Sequence, residues 1–424
     1  MPNTAQRLKS LLEDLLQAPL PLRLRAWDGS ESGPPNTPVL IIRNRRALRR
    51  LMWQPNDLGL ARAYVSGDLD VDGDLYEALG RTASLIWRAP DLTGLPIRSI
   101  ATELMRLGVL GPQPKPPPEE MAVSGARHSK HRDRQAISHH YDVGNDFYRI
   151  VLGESMVYSC AYWTSTDAEY GLADAQRDKI DLICRKLDLR PGMRLLDVGC
   201  GWGSLAVHAA REYGVDVVGI TLSNEQADYA RKQVAEAGLT EQVDIRVQDY
   251  RDLDDGPFDA ISSVGMAEHV GTGPYAEYAA ILFGQLKAGG RLLNHQISAI
   301  HPKPRKDQAQ RRSFIDAYVF PDGELAPVGT TVTLLEEAGF EVRDVQALRE
   351  HYARTLRAWV SNLEADWAEA VHLTSPGRAR VWRLYMAASA LAFEQGRIGV
   401  NQVLAVKDRR NGASEMAPTR AGWL

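Results

Sequence analysis

The stretch Leu195-Leu196-Asp197-Val198-Gly199-Cys200-Gly201-Trp202-Gly203 decides the fold of this chain. An apolar run leads directly into three alternating glycines, and apolar residues at helical spacing follow them. Glycines in such a turn let the backbone come close to a ligand, because no side chain blocks the approach. The spacing is G-x-G-x-G and lacks the last glycine of the dinucleotide pattern, since Ser204 stands there. The turn therefore favours a nucleoside amino acid over a pyrophosphate as the ligand.

Apolar strands and helical patterns alternate after this turn, which is typical of a parallel sheet with crossover helices. The predicted strands cover residues 194–198, 215–220, 243–247, 260–264 and 291–293, and the predicted helices cover residues 204–213 and 224–237. We therefore predict an α/β fold with a mostly parallel, doubly wound sheet. In such a sheet the ligand lies at the carboxyl ends of the strands.

Two further segments are candidates for binding this ligand. After the second strand, the hydroxyl of Thr221 and the amide of Gln226 stand where many nucleotide folds place an acid on the ribose. After the third strand, Asp249 is suited to accept a hydrogen bond from an adenine amino group. As an alternative, Asp249 caps a turn.

A proline-rich stretch divides the chain. It contains Pro112, Pro114 and the run Pro116-Pro117-Pro118, which cannot continue a helix. We predict a small N-terminal α+β domain over residues 1–107, a linker over residues 108–126, a catalytic domain over residues 127–410 and a tail over residues 411–424.

Composition excludes several classes of protein. The 424 residues are 44% hydrophobic and 25% charged, with a net charge of -4, whereas nucleic-acid-binding domains are usually basic. No apolar run approaches the roughly 18 residues that cross a bilayer, and the N-terminus lacks a signal-peptide pattern, so we expect a cytoplasmic protein. Cys160, Cys184 and Cys200 are too widely spaced to indicate a disulfide framework or a metal site.

Seven ordered motifs extend this interpretation: HYDVGNDFY (residues 140–148), YSCAYW (158–163), the glycine turn, GITLS followed by Glu225 and Gln226 (219–226), GMAEHVG (265–271), FPDG (320–323) and HYARTL (351–356). With these motifs, residues 132–407 resemble the cyclopropane-fatty-acyl-phospholipid synthases and mycolic acid cyclopropane synthases. The resemblance implies a Rossmann-like class I methyltransferase fold that uses S-adenosylmethionine. It implies cofactor contacts at Tyr158, Ser159, Gly199, Gly201, Thr221, Gln226 and Asp249.

The resemblance also implies a bound bicarbonate, held by Cys160, Glu268, His295, Tyr352 and the backbone of Ile297. Methylation of an unactivated alkene gives a carbocation, from which a proton must leave. A small clamped oxyanion is suited to act as the general base and to stabilise the cation. Each of these side chains also has a purely structural interpretation: a packed core cysteine, a helix-capping glutamate, a satisfied core histidine and a tyrosine that bridges two helices. The aromatic wall of an acyl tunnel is predicted at Phe147, Tyr162, Trp163, Phe314, Tyr318 and Phe320.

The predicted reaction transfers a one-carbon unit to the cis double bond of an acyl chain in a membrane phospholipid. A cyclopropane and a methylene-branched chain are both open as products, because the two share the first step. Residues 393–407 contain no cysteine, which argues against a covalent nucleophile of the kind assigned in some family members. A methyltransferase of another lipophilic small molecule is the alternative, and a non-catalytic lipid-binding module is a third hypothesis.

Access to such a substrate requires peripheral contact with the inner membrane surface. Clusters of basic residues are candidates for contact with anionic headgroups. The first comprises Arg43, Arg45, Arg46, Arg49 and Arg50, the second Arg127, Lys130, Arg132 and Arg134, and the third Lys303, Arg305, Lys306, Arg311 and Arg312. The N-terminal domain is the candidate for lipid docking or oligomerisation, and a homodimer is left open.

Overall fold

The computed structural model describes residues 2–86, 97–121, 129–130, 132–133, 143–300, 312–409 and 411–423. Outside them lie several predicted features: residues 122–126 of the linker, residues 140–142 of the first motif, and Arg127, Arg134, Lys303, Arg305, Lys306 and Arg311. Within the described residues, no helix is long and apolar enough to cross a membrane.

The helices and strands are defined as follows. The helices are α1 (Thr4–Leu16), α2 (Arg46–Trp53), α3 (Asp57–Val65), α4 (Leu75–Ile86), α5 (Ile97–Arg106), α6 (Asn145–Leu152), α7 (Leu172–Leu187), α8 (Ser204–Tyr213), α9 (Asn224–Glu236), α10 (Ala267–Val270), α11 (Tyr275–Gln285), α12 (Phe314–Tyr318), α13 (Val328–Glu337), α14 (Arg349–Ala365), α15 (Trp367–Leu373) and α16 (Pro376–Glu394). The strands are β1 (Arg23–Arg25), β2 (Glu31–Ser32), β3 (Val39–Ile42), β4 (Leu69–Asp72), β5 (Arg194–Val198), β6 (Asp216–Thr221), β7 (Val243–Val247), β8 (Phe258–Val264), β9 (Leu286–Ala299), β10 (Glu341–Ala347) and β11 (Ile398–Val406).

The chain forms two compact units. The first unit comprises Met1–Ala122, Arg311–Val319 and Thr374–Leu391, and the second comprises Val123–Gln310, Phe320–Leu373 and Ala392–Leu424. This division differs from the predicted boundary at residue 107. The first unit takes two segments from late in the sequence and also continues past residue 107.

The second unit is built on a seven-stranded sheet of order β10-β11-β9-β8-β5-β6-β7. The pairs of β5 with β6 and β8, of β6 with β7, and of β8 with β9 are parallel, whereas β11 runs antiparallel to β9 and β10. Strand order reverses at β5, where β6 lies on one side and β8 on the other. The predicted α/β class with a mostly parallel sheet is confirmed, and this reversal is the place where such folds bind ligands.

The predicted and observed bounds of strands and helices agree best where the apolar pattern lies within one short stretch of sequence. β5, α8 and β7 have the predicted bounds, and α9 ends one residue earlier than predicted. The strand predicted over residues 291–293 is wrong in length, because β9 runs over 14 residues, from Leu286 to Ala299. His295, Gln296 and Ser298 are polar but buried within it; Gln296 donates to Thr331 and Ser298 donates to Asn401.

The first unit contains a four-stranded sheet of order β2-β1-β3-β4. Its arginine cluster, predicted to contact a membrane, is largely engaged inside the unit. Arg50 is buried and pairs with Asp68 at 3.1 Å, and it also donates to the carbonyl of Lys115 at 2.8 Å. Arg45 and Arg49 donate to the carbonyls that follow α5, those of Leu107 and Val109 respectively. These bonds hold the segment after residue 107 in place, which is the physical reason the unit extends beyond the predicted boundary.

The segment predicted as a tail packs against the second unit's core. Trp423 is 6% exposed and belongs to the apolar cluster that contains Leu195 and Leu404. Arg420 forms an ion pair with the buried carboxylate of Asp344, which also faces Lys186 at 3.6 Å. The last residues therefore contribute to the fold of the second unit.

Candidate active site

A cavity with about 810 Å³ of empty space lies at the carboxyl ends of β5, β6, β7 and β8. It is lined by Asp133, Val198, Gly199, Gly201, Ile220, Thr221, Leu222, Gln226, Gln248, Tyr250, Arg251, Val264, Gly265, Met266, His269, Val270 and Pro274. Four predicted cofactor residues, Gly199, Gly201, Thr221 and Gln226, are thus brought together, as expected for a ligand at the switch point of a parallel sheet.

The glycine turn shapes the floor of this cavity. Gly199 and Gly201 have φ values of 78° and 55°, in the left-handed region that side chains disfavour. A Cβ atom on Gly199 would lie 2.5 Å from the sulfur of Met266, whereas a Cβ on Gly201 would meet no atom within 4 Å. A side chain at Gly199 would thus displace that of Met266 and strain the backbone, whereas Gly201 keeps open space beside the cavity.

The segment after β6 contributes polar side chains to the wall of the cavity. The hydroxyl of Thr221 donates to Gln226 Oε1 at 2.8 Å, and both side chains are buried. Ser223 caps α9 by accepting from the backbone N–H of Gln226 at 3.2 Å. Capping fixes the start of the helix, so the amide of Gln226 is held at the cavity wall.

Asp249 does not line the cavity. Its carboxylate accepts from the guanidinium of Arg251 at 2.8 and 2.7 Å and from the backbone N–H of Arg251 at 3.0 Å. Burial raises its pKa, but the hydrogen bonds from Arg251 outweigh this effect and lower the pKa below the usual value. The contacts of Asp249 are therefore those of the turn-capping alternative. The cavity residues after β7, which the sequence analysis missed, are Gln248, Tyr250 and Arg251.

Tyr158 and Ser159, also predicted to contact the cofactor, precede α7 and do not line the cavity. The ring of Tyr158 packs between those of Tyr148 and Trp359, with centroids 5.8 and 5.4 Å apart. The hydroxyl of Ser159 accepts a 2.7 Å hydrogen bond from the buried ammonium of Lys179. Lys179 was not predicted, because a lysine in a helical stretch of sequence gives no local signal that it is buried.

Glu268 lies on α10, directly beside the cavity residues Met266 and His269. Its Oε1 accepts a 2.6 Å hydrogen bond from the backbone N–H of Ile297 on β9. Its Oε2 is buried and has no hydrogen-bond partner among the described residues. Burial raises the pKa of Glu268 to about 7, although the bond from Ile297 acts in the opposite direction. This carboxyl group therefore changes protonation state near neutral pH.

His295, two residues before Ile297, is 2% exposed. Its Nδ1 lies 3.3 Å from the side-chain amide of Gln402, and its Nε2 is buried with no hydrogen-bond partner in the part of the chain that the structure describes. Burial, aided by the charges of Lys179 and Lys186, lowers the pKa of His295 to about 3. The imidazole is accordingly neutral.

Cys160 and Tyr352 meet at one carbonyl group. The thiol of Cys160 lies 3.2 Å from the carbonyl of Ala161 and 3.6 Å from that of Leu348, and the backbone N–H of Tyr352 donates to the Leu348 oxygen at 3.1 Å. Leu348 in turn donates to the carbonyl of Val400, the residue that pairs with Ile297 across β11 and β9. Burial raises the pKa of the Cys160 thiol well above its usual value, so the thiol is neutral.

The predicted aromatic wall is divided between the units. Phe147, Tyr162, Trp163 and Phe320 belong to the second unit, whereas Phe314 and Tyr318 belong to the first. Phe320 contacts the imidazole of His269, a cavity residue, at a centroid distance of 5.5 Å. An acyl tunnel formed by all six stays a prediction.

Comparison with known proteins agrees with this geometry. Residues 128–403 match the family model described as mycolic acid cyclopropane synthetase. The chain belongs to this family. It is 43% identical to a probable fatty acid methyltransferase, Rv3720, from Mycobacterium tuberculosis (strain ATCC 25618 / H37Rv), over 95% of each chain. It is 37% identical to the cyclopropane-fatty-acyl-phospholipid synthase of Escherichia coli (strain K12), over 73% of this chain and 79% of the relative.

Solved structures of the mycolic acid cyclopropane synthetase family share the fold. The chain aligns with the mycolic acid cyclopropane synthase CmaA1 complexed with SAH and CTAB at a TM-score of 0.60 and 35% identity. The alignment covers 65% of this chain and 98% of that one. The protein is thus an S-adenosylmethionine-dependent methyltransferase, and its family transfers one-carbon units to unsaturated lipids.

Proposed function

We propose that this methyltransferase adds one carbon to the cis double bond of an unsaturated acyl chain in a membrane phospholipid, giving a cyclopropane or a methylene-branched chain. The observation that carries the proposal is the cofactor cavity of a mycolic acid cyclopropane synthetase family member, next to which lies Glu268, a buried carboxyl group with one oxygen unpartnered among the described residues. Alkene methylation needs a base in a site without water, because a carbon-bound proton must leave the cation. Glu268 is suited to receive that proton, either directly or from a small anion held beside it, and its pKa near neutrality lets it release the proton again.

The cavity residues bind and orient the cofactor in this proposal. S-adenosylmethionine, when bound, supplies an electrophilic methyl group on a sulfonium. Gly199 and Gly201 allow the close approach of the ligand to the backbone, and Thr221 and Gln226 offer hydrogen bonds to its ribose. Contacts of the cofactor with Tyr158, Ser159 and Asp249 stay predictions. Asp249 also holds Arg251 at the cavity wall.

A small oxyanion such as bicarbonate fits the residues around Glu268. His295 Nε2, buried and unpartnered within the part of the chain described, is suited to contact it, and the side chains of Glu268 and Cys160 belong to the proposed set. Tyr352 and the backbone of Ile297 complete the proposed set, although the N–H of Ile297 is already engaged by Glu268. Bound bicarbonate would supply a small base that is not tethered to the chain.

Contact with a membrane surface is proposed for the first unit. Trp53 and Leu110 are 54% and 48% exposed, and the indole of Trp53 donates to the carbonyl of Gly111, next to Leu110. Arg43 and Arg46 are exposed, although each pairs with an aspartate. Exposed aromatic and aliphatic side chains, together with exposed arginines of the same unit, are suited to an anionic lipid surface. A homodimer stays a prediction.

The product experiment tests the proposed function. The enzyme is incubated with dioleoyl phospholipid vesicles and methyl-labelled S-adenosylmethionine, and the hydrolysed chain is analysed by mass spectrometry and proton NMR. Both products gain one methylene unit, and ring protons or vinylidene protons then distinguish them. An unchanged acyl chain with a methylated headgroup or free carboxylate would contradict the proposal and favour a methyltransferase of another lipophilic molecule.

A further inference from the structure

A second, smaller cavity, with room for about one water molecule, adjoins Glu268. It is separate from the cofactor cavity, since the two share no lining residue. It is lined by residues of α10, the loop after it, α11, β9, the segment before α13 and α13 itself: Ala267, Glu268, Gly271, Thr272, Tyr275, Gln296, Ile297, Glu324, Ala326, Thr331 and Leu334.

Two polar atoms in the lining residues are buried and unpaired. Glu268 Oε2 and the hydroxyl of Tyr275 have no hydrogen-bond partner among the described residues. Tyr275 is 4% exposed, so its hydroxyl has no alternative partner in bulk solvent. Buried polar atoms of this kind are normally satisfied, and a polar cavity that offers several partners is suited to hold ordered water.

Other polar groups extend from these atoms to the surface. Thr331, buried on α13, accepts a 2.8 Å hydrogen bond from the amide of Gln296. At the exposed rim, Thr272 donates to Glu324 Oε2 from its backbone N–H at 3.0 Å and from its hydroxyl at 2.7 Å. The lining therefore runs from a buried carboxyl group to a carboxylate at the protein surface.

The ionisable groups that face Glu268 have pKa values far from neutral pH, whereas the pKa of Glu268 lies near it. Tyr275 and Tyr278 face it from α11, and burial raises the pKa of each tyrosine well above the usual value. His295 on β9 and His269 on α10 are neutral, because burial lowers their pKa values to about 3 and about 4. Glu324 stands at the rim.

We propose that Glu268 discharges the proton of the reaction through this second cavity, by way of water shared with the hydroxyl of Tyr275, to the surface at Thr272 and Glu324. This inference rests on the proposed function. Transfer of the methyl group leaves a neutral thioether and a carbocation on the chain. A C–H bond then breaks, its electron pair forms the new carbon–carbon bond, and the proton reaches Glu268. Water carries the proton to solvent, and the carboxylate of Glu268 is restored.

The test follows proton exchange at Glu268 itself, without substrate. The infrared carbonyl band of the protonated carboxyl group is assigned by its loss in Glu268→Gln, and its shift is timed after rapid mixing into D₂O. Tyr275→Phe removes one hydroxyl, and Ala326→Leu fills the cavity from a different segment. Both variants are expected to slow the exchange by about 10-fold or more, as for loss of a positioned proton carrier. Turnover should fall with them, and a larger solvent isotope effect should accompany the fall.

Tyr278→Phe is the matched control. Tyr278 is a buried neighbour on the same helix, but its hydroxyl pairs with Ser263 at 2.7 Å and it does not line the cavity. Exchange at Glu268 should keep the wild-type rate in this variant. Wild-type exchange in both Tyr275→Phe and Ala326→Leu would overturn the inference, and so would equal slowing in Tyr278→Phe. Failure of the proposed function is distinguishable, because it would appear as unmethylated lipid while the exchange results were unchanged.

Discussion

The ammonium group of Lys179 donates a 2.7 Å hydrogen bond to the hydroxyl of Ser159, and both residues are buried. Burial lowers the pKa of Lys179 to about 8, although the nearby Cys160 and Asp197 act in the opposite direction. A charged group therefore lies beside the motif that carries Cys160. The lowered pKa of Lys179 should make the stability of the folded protein depend on pH.

Lys179→Met should change how stability depends on pH. Between pH 8 and about 10.4 the unfolded chain keeps the proton that folded Lys179 has released, so the free energy of unfolding of the wild type rises with pH. Relative to Lys179→Met, the wild type should gain on the order of 1–3 kcal/mol across this window. Urea unfolding at pH 7.5 and pH 10 measures the gain. Ser159→Ala keeps the lysine and should keep the gain; a constant difference between wild type and Lys179→Met would disprove it.

Gly201→Val should weaken binding of S-adenosylhomocysteine by at least about 10-fold, equivalent to about 1.4 kcal/mol. The new side chain would extend into open space at the cavity that Gly201 lines. Isothermal titration calorimetry measures the affinity. Gly238→Val is the control, because Gly238 has a similar φ of 70° and similar open space but does not line the cavity. Equal affinities in wild type and Gly201→Val would place the cofactor elsewhere.

Glu268→Gln should lower turnover by at least about 10-fold, since the amide neither accepts a proton as a base nor titrates near neutrality. The wild-type rate should rise with pH through about 7, as the carboxyl group ionises. Affinity for S-adenosylhomocysteine should persist, because Glu268 does not line the cofactor cavity. Tyr352→Phe should also reduce turnover with cofactor binding kept. Full activity of Glu268→Gln would remove Glu268 from the chemistry.

Trp53→Ala should weaken binding to vesicles with anionic lipids by about 10-fold, because an indole contributes roughly 1–2 kcal/mol of apolar burial. Flotation with vesicles at two salt concentrations measures the binding. Leu16→Ala is the control, as Leu16 is 36% exposed in the same unit. Equal loss in both variants, or none in Trp53→Ala, would count against a membrane surface at Trp53. Removing Arg45, Arg49 and Arg50 together is a poor test, since these arginines hold the chain after α5.

Trp423→Ala should lower the free energy of unfolding by about 3–5 kcal/mol, the usual range for a buried tryptophan. The side chain packs on the same apolar cluster as Leu195 and Leu404. Denaturant unfolding measures the loss, with the exposed Pro418→Ala as control. Wild-type stability of Trp423→Ala would show that the last residues add nothing to the second unit.

The central strands and helices of the second unit could be predicted, because each is marked by an apolar or helical pattern within its own stretch of sequence. The bounds of β5 and α8 follow from one apolar run and one helical repeat, and the glycine turn between them places Gly199 and Gly201 at the cavity. Thr221 and Gln226 follow from the next strand and helix in the same way. The strands β10 and β11 were missed, because their positions depend on antiparallel pairing with a strand far away in sequence.

The charged contacts could not be predicted for a related reason. Asp249 was assigned to the cofactor, but the position of Arg251, two residues later, decides where its carboxylate points. Lys179 looks like an ordinary solvent-exposed helix residue until α7 packs on the sheet. The unpartnered oxygen of Glu268 is a property of its surroundings, which depend on α11, α13 and β9 together.

The discontinuous first unit has a consequence during synthesis. Its opening segment leaves the ribosome first, but the backbone of Phe314 pairs with Asp57, and Arg380 donates to the carbonyls of Tyr64 and Leu69. Met386 and Ala390 are also buried within this unit. Domains usually fold in the order in which they are made. The apolar core of the opening segment is drawn from residues between Ala5 and Val109, so it can form early, whereas the positions that bind Phe314 and Arg380 stay unfilled until most of the chain has been made.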